Sequence, residues 1–373
     1  MPGKNQSDRI AEQFRILPGK DANGEPIFSV LVKRTYDIQP GRVCERAAKP
    51  QPFVEVDQYF DSGDPEWLSV QYESDLVPFK TATDVVLIAK AHAPEGKPVD
   101  QLDVAVEIDE FRKVIRVVGQ RQCRYQKGGV PQFTEPERFT RMEIRYEKAY
   151  GGWDHKSIPD LAYAYPRNPL GTGLALKNRP DVIDGLPLPN LEDPQDLLTP
   201  ERVVLDDPGQ WNNAPLPQGL GWFQKTWYPR CSFAGAIPAF ARAGQALREE
   251  VLGLVPENQV ALARQYKLPS FDVRFNNGAS TELVRPYLKG GESIRLTHLF
   301  ADAEQISFQL PVEKPSIMLD IGLGQNQLSP KIFTICIRPE QRQLDLVWGA
   351  SHIYPGLDWL PEMKRLHAEV TGP

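Results

Sequence analysis

Lys331-Ile332-Phe333-Thr334-Ile335-Cys336-Ile337-Arg338 is followed by Pro339-Glu340-Gln341-Arg342 and then by Leu344-Asp345-Leu346-Val347-Trp348-Gly349. Two runs rich in β-branched and aromatic residues flank a proline-led turn, the pattern of an antiparallel hairpin. The same grammar recurs upstream. Leu102, Val104, Val106 and Ile108 alternate with polar or small residues, a turn passes through Asp109-Glu110-Phe111, and Lys113 to Gly119 returns. Period-two alternation marks strands with one buried face. Both hairpins end in glycine, and their shared layout suggests two β units that face each other.

Working outward, residues 28–36 are β-branched and aromatic, with the turn Gln39-Pro40-Gly41-Arg42 after them and Val43-Cys44-Glu45-Arg46 beyond. Residues 84–92 are nearly continuous in apolar side chains, as a central strand requires. Residues 138–146, 293–300 and 306–310 alternate again. The chain therefore reads as mainly β, with a sandwich-like or two-sheet antiparallel architecture. Edge strands over 27–38 or 331–338 would accept a partner's strand by main-chain pairing.

The middle differs. Thirteen of the 35 prolines fall within residues 153–240. Proline lacks the ladder donor and fixes φ, which excludes regular sheet there. Trp153, Trp211, Trp222, Phe223, Trp227, Tyr228 and Phe233 are too many large aromatics for a solvated linker. The region reads as long ordered loops packed over the sheet. The organisation expected is a flexible N-terminus (1–14), a β-rich half (15–152), the Pro- and aromatic-rich loop region (153–240), a short helical segment (241–270), a second β-rich half (271–356) and a C-terminal helix or tail (357–373). Helical spacing is read at 240–254 and 358–369, with a shorter helix over 259–266.

Composition narrows the function classes. The 373 residues are 41% hydrophobic and 25% charged, near the globular average. A net charge of -6 argues against nucleic acid as the partner. There is no apolar run long enough for a membrane-spanning helix, and the opening residues lack the pattern of a secretory leader, so a cytoplasmic protein without a membrane partner is expected. Cys44, Cys123, Cys231 and Cys336 lie far apart and read as packed thiols, not a disulfide framework. No two of His92, His155, His298, His352 and His367 sit three or four residues apart, so no metal is expected. His92 ends a strand and is a candidate rim residue. No Gly-x-Ser-x-Gly elbow is present, and Gly171-Thr172-Gly173 and Gly322-Leu323-Gly324 lack the context of a phosphate loop. No catalytic residue and no cofactor is assigned. The acidic pairs Glu192-Asp193, Asp206-Asp207 and Glu249-Glu250 keep open an alternative, a β-sandwich protein acting on glycan or peptidoglycan-like material.

One set of segments is more specific. Met142 to Trp153 ends in Tyr150-Gly151-Gly152-Trp153. Tyr165-Pro166-Arg167-Asn168-Pro169-Leu170-Gly171-Thr172-Gly173 follows, then Leu188-Pro189-Asn190-Leu191-Glu192. Gly219-Leu220-Gly221-Trp222 precedes Trp227-Tyr228-Pro229-Arg230, and Phe79 to Leu87 and Ala91-His92-Ala93-Pro94 lie upstream. In this order the run resembles a bacterial domain family of unknown function encoded beside type VI secretion spike (VgrG) and effector genes. The resemblance spans roughly residues 15–300 and implies a non-enzymatic cytoplasmic adaptor that binds a secreted effector, or the spike, and helps load one onto the other. It carries no catalytic residues.

Physically, Tyr165-Pro166-Arg167-Asn168-Pro169 reads as a rigid, extended segment, and Asn168 can bond the backbone in a turn. Gly151, Gly152, Gly171 and Gly173 permit positive φ or close backbone approach. Arg167 and Arg230 can grip loop carbonyls or a carboxylate through their planar forks, with Glu192 as a partner for one of them. Tyr150, Tyr165, Asn190, Trp222 and Trp227 complete a set that serves either as loop scaffold or as partner-binding surface, since aromatics and arginine dominate binding hot spots.

Overall fold

The computed structural model describes residues 13–64, 67–127, 129–158, 160–234, 271–322, 324–354 and 366–372. Its twelve-residue strand Pro26–Asp37 is buried along nearly its whole length. A strand covered on both faces must place every side chain in the interior, and this one does so by sorting them by parity. Phe28, Val30, Val32 and Tyr36 join the main apolar cluster, whereas Leu31 belongs to a small cluster with Phe53 and Phe333.

Pro26–Asp37 lies within a seven-stranded sheet ordered Gln13–Lys20, Pro26–Asp37, Gln343–Ile353, Lys331–Arg338, Thr83–Leu87, Val284–Arg285, with Glu45–Arg46 paired off this path to Pro26–Asp37. All neighbours are antiparallel except Lys331–Arg338 and Thr83–Leu87, which are parallel. A second, wholly antiparallel sheet is ordered Leu191–Glu192, Phe111–Val118, Gln101–Ile108, Ser293–Thr297, Gln305–Gln309. Val104, Val106, Ile115, Val117, Ile294 and Leu296 of this sheet share the main cluster with Val30, Val32, Ile335, Leu346 and Trp348 of the first. The mainly β expectation holds, with several antiparallel sheets and the two largest packed on one core. Each of the two hairpins read from sequence falls in a different sheet.

The structure corrects the sequence reading in several places. Strands 26–37 and 331–338 are interior, each paired on both sides, so neither offers an edge; among the described residues the ends of that sheet are Gln13–Lys20 and Val284–Arg285. The apolar run 84–92 divides into Thr83–Leu87 and Lys90–His92, the latter paired with Arg141–Glu143. Of the C-terminal helix read over 358–369, residues 358–365 lie outside the described residues, and its end falls instead in the strand His367–Thr371, which pairs with Ser316–Asp320. Pairing with that strand buries Ala368 and outweighs the helical spacing. Gln13 and Phe14, read as flexible, lie in the first strand. The helices read at 240–254 and 259–266 lie outside the described residues.

The Pro-rich region does more than drape the sheet. It holds a short hairpin, Trp153–Ile158 with Leu161–Ala164, and a second apolar cluster of its own. Tyr150, Tyr163, Tyr165, Leu176, Ile183, Trp211 and Tyr228 are among its members. Asp154 organises it. Its carboxylate accepts from the Lys156 and Ser157 backbone N–H groups at 2.8 Å, from Ser157 Oγ at 2.5 Å and from Leu176 N at 2.8 Å. Burial pushes this carboxyl up, but the hydrogen bonds outweigh it and hold Asp154 below the ordinary carboxylate range.

All four cysteines are free and buried. Burial raises the thiols of Cys44, Cys231 and Cys336 to about 12 and that of Cys123 to about 11, which leaves them unreactive core residues, as their sequence context indicated.

The polar residues of the central strands are matched pairwise. Thr35 Oγ1 donates to Asp345 Oδ1 at 2.7 Å, Arg338 grips Asp345 through two bonds of 2.5 and 3.0 Å, and Lys33 Nζ donates to Asp75 at 2.7 Å. Residues 51–54 close this face: Gln51 N donates to Thr35 Oγ1 and Val54 N to Asp75. The register slips by one between Ile332 and Thr334, a bulge that leaves Phe333 over Gly349. A Cβ on Gly349 would lie 2.0 Å from Phe333 Cε2. Gly349→Ala is therefore expected to cost about 1–3 kcal/mol by overpacking, read as a lower urea midpoint at unchanged slope. The double variant with Phe333→Leu should recover part of that loss. Asp154→Asn should destabilise the chain by about 1–3 kcal/mol near neutral pH. Because the folded carboxyl titrates below its unfolded value, its contribution is present above about pH 4 and lost as pH falls through the folded value. The gap between the two proteins in thermal unfolding should narrow on acidification.

Candidate functional site

The conspicuous sequence segments meet where the second apolar cluster joins the main one. Tyr150–Gly151 pairs in parallel with Thr172–Gly173. Asn168, fully buried, sits between them: its Nδ2 donates to Tyr146 O at 2.8 Å and Tyr150 O at 3.0 Å, while its main-chain carbonyl accepts from Gly152 N and Gly171 N. The backbones are so close that a Cβ on Gly151 would stand 2.1 Å from Asn168 O, and one on Gly152 2.4 Å from Gly171 O. Both glycines also hold positive φ, as does Gly173. Close approach, anticipated at these glycines, is thus their role. The segment 165–169 is not extended, however. Asn168 N donates to Tyr165 O at 3.1 Å, closing a turn at Pro166-Arg167. Proline presets φ for the second position of such a turn, which overrides the extended bias.

Arg230 is 4% exposed and spends four N–H bonds. Nη1 and Nη2 grip Glu73 at 2.6 and 2.5 Å, Nη1 also donates to Phe223 O at 2.7 Å, and Nε donates to Phe275 O at 2.9 Å. Glu192 is not its partner, nor that of Arg167. Glu192 instead bonds Arg121 and accepts from Leu198 N at 2.9 Å. Asn190 Nδ2 donates to Val118 O at 2.9 Å, tying this loop to the second sheet. Trp222 and Trp227 are buried in the main cluster. Lys80 Nζ lies 5.2 Å from the Trp222 ring, and Trp227 packs edge-on to Tyr146 and Phe223 with centroids 5.2 and 5.3 Å apart. His92 pairs with Glu340 at 2.6 Å and does not line the cleft described next.

Arg167 is different. It is half-buried, its guanidinium lies 4.7 Å from the Trp211 ring, and it donates to Asn212 Oδ1 at 2.8 Å and Tyr165 Oη at 3.3 Å. Among the described residues no carboxylate pairs with it. It lines a cleft of about 320 Å³ together with Lys113, Leu216, Gln218, Phe223 and Glu282. Lys113, 5% exposed, is already neutralised by Glu282 and donates to Gln218 Oε1 at 3.1 Å. Leu216 is 55% exposed at this cleft. Among the described lining residues Glu282 is the single carboxylate. No group of three or more His, Cys, Asp or Glu able to hold a metal occurs among the described residues, and none of their helices is long and apolar enough to cross a membrane.

Of the candidate site residues, Arg167 alone lines this cleft, joined by Phe223, Tyr228 and Pro229 of the aromatic segments read from sequence; Tyr150, Gly151, Gly152, Asn168, Gly171 and Gly173 build the scaffold that holds the 165–169 turn. Glu73, Lys113, Leu216 and Glu282 carried no sequence signal, since their partners are distant in the chain. Asp154 did: an Asp with Ser three residues on is a side-chain-to-backbone turn pattern.

Residues 23–349 match the family described as "Uncharacterized protein conserved in bacteria (DUF2169)", and the chain belongs to that family. No curated protein and no solved structure matches it.

The Arg230–Glu73 fork generates a prediction. Arg230→Ala leaves the buried Glu73 carboxylate, among the described cations, with only the more distant Lys225, at 3.7 Å, and should cost up to about 3–5 kcal/mol. Glu73→Gln in the same background should restore part of it, as chemical denaturation of the single and double variants would register.

Proposed function

We propose that this chain is a stoichiometric binding protein of type VI secretion: it holds a secreted effector, or the VgrG spike that carries it, until the two are joined. The order and chemistry of the segments around Tyr150-Gly151-Gly152, 165–173 and 188–192 suggest the secretion context. The observation that carries the binding role is the cleft at the seam of the two apolar clusters. It combines Arg167, a cation with no carboxylate partner among the described residues, with an exposed aliphatic residue, Leu216, over aromatic walls. Arginine and aromatics on a rigid frame are the ingredients of a binding hot spot. A glycosidase places two carboxylates across its cleft; the described lining here offers Glu282, already bonded to Lys113, so the glycan reading gains no support from it.

Affinity capture of the tagged full chain from its native bacterium, with partners identified by mass spectrometry, tests this reading. A spike protein or an effector encoded beside it should co-purify, and Leu216→Asp, with an unchanged circular dichroism spectrum, should reduce its recovery severalfold. Recovery of neither a spike nor an effector would overturn the proposal.

A further inference from the structure

Buried cations in this protein are matched to carboxylates: Arg230 to Glu73, Arg338 to Asp345, Lys33 to Asp75, Lys80 to Asp84 and Lys113 to Glu282. Arg167, half-buried in the cleft wall, has no carboxylate partner among the described residues. Its described partners are the neutral oxygens of Asn212 and Tyr165, and Tyr165 Oη itself donates to Pro215 O at 3.1 Å. The guanidinium lies against the Trp211 ring, 4.7 Å from its centroid. A planar fork held in place, carrying an uncancelled charge in a partly desolvated wall, is preorganised for a carboxylate. Lys113 does not compete, because Glu282 occupies it. The cleft thus carries one net positive charge beside the apolar surface of Leu216, Phe223 and Pro217.

We infer that this cleft receives an acidic side chain flanked by an aliphatic residue on an extended segment of a protein partner, with Arg167 gripping the carboxylate and Leu216 and Phe223 covering the aliphatic neighbour. The inference deepens the binding role proposed above and rests on it for the identity of the partner, though not for the chemistry of the site. A volume of about 320 Å³ suits one or two side chains and is too small for a folded element. The charge match is local: the chain as a whole is acidic, at -6, so broad attraction of acidic proteins is not its source.

The test is a titration of the isotope-labelled full chain with the peptide acetyl-Leu-Glu-Leu-amide, followed by amide NMR. Saturable shifts are expected at residues lining the cleft. They should weaken by about tenfold or more with the Gln analogue of the peptide and with Arg167→Gln, the scale of one lost charge-assisted bond. Arg141→Gln, a change at an exposed strand residue, should leave them unaltered. Absence of cleft shifts, or equal binding of the Gln analogue, would overturn the inference. Equal binding by acetate alone would also overturn it, because the aliphatic neighbour would then contribute nothing. The two proposals fail separately. If spike or effector co-purifies undiminished with Arg167→Gln, the carboxylate site falls and the adaptor role stands on another face. If the peptide binds at Arg167 and neither is captured, the site stands and the secretion role falls.

Discussion

The buried fork between Arg230 and Glu73 ties together parts of the chain that share no secondary structure. Glu73 follows the strand Val70–Tyr72, Arg230 opens the one-turn helix Arg230–Phe233, and the two carbonyls that Arg230 also reaches belong to Phe223 and to Phe275 in the 3-10 helix Val273–Asn276. A guanidinium with four of its N–H groups engaged cannot shift without stranding an acceptor in a low-dielectric interior. The packing around it admits no extra atom: a Cβ on Gly278 would lie 2.6 Å from Glu73 Oε2 and 2.9 Å from Arg230 Nη1. The fork thus pins the helix that carries Cys231 of the second cluster, with Tyr228 of that cluster just before it, to the segment around Phe223 and Trp227 that packs in the first.

A second tier of constraints is made of backbone proximity. The crossing of Tyr150-Gly151-Gly152 with Asn168 to Gly173 works because three residues there have no side chain where any side chain would strike a carbonyl. One amide, that of Asn168, then satisfies two carbonyls, one from the 3-10 turn at Tyr146 and one from the strand at Tyr150. The result is a rigid shelf that carries Pro166-Arg167 at its rim. Sequence segments that look like a functional signature thus act mainly as a mount, and the residue that they mount is Arg167.

The hairpins at 101–118 and 331–353 were legible because period-two alternation and turn residues are local signals. Glycine crowding at 151, 152, 171 and 173 was legible as a requirement, though its partners were not. The second apolar cluster was not anticipated, because its strands are two to six residues long and its cohesion comes from Tyr and Trp contacts across 123–231. Charge partners were the least legible. Glu192 and Arg230 lie in the same Pro-rich stretch, yet each is claimed by a residue outside it, Arg121 and Glu73. Nothing in composition or spacing encodes a pairing across 157 positions.

Pro26–Asp37 pairs along eleven residues with Gln343–Ile353, near the opposite end of the chain. During synthesis the early strand emerges long before its mate, and the seven-stranded sheet closes only when the last hairpin has left the ribosome. The Pro-rich unit, whose contacts fall largely within 121–234, is complete much sooner. Non-local pairing is the slow step in β proteins, and an unpartnered apolar strand is a hazard while it waits. The order of translation therefore completes the central unit before the main sheet, so a stalled or truncated chain would present its longest strand paired only with Gln13–Lys20 and, at its end, Glu45–Arg46, and open along its other edge.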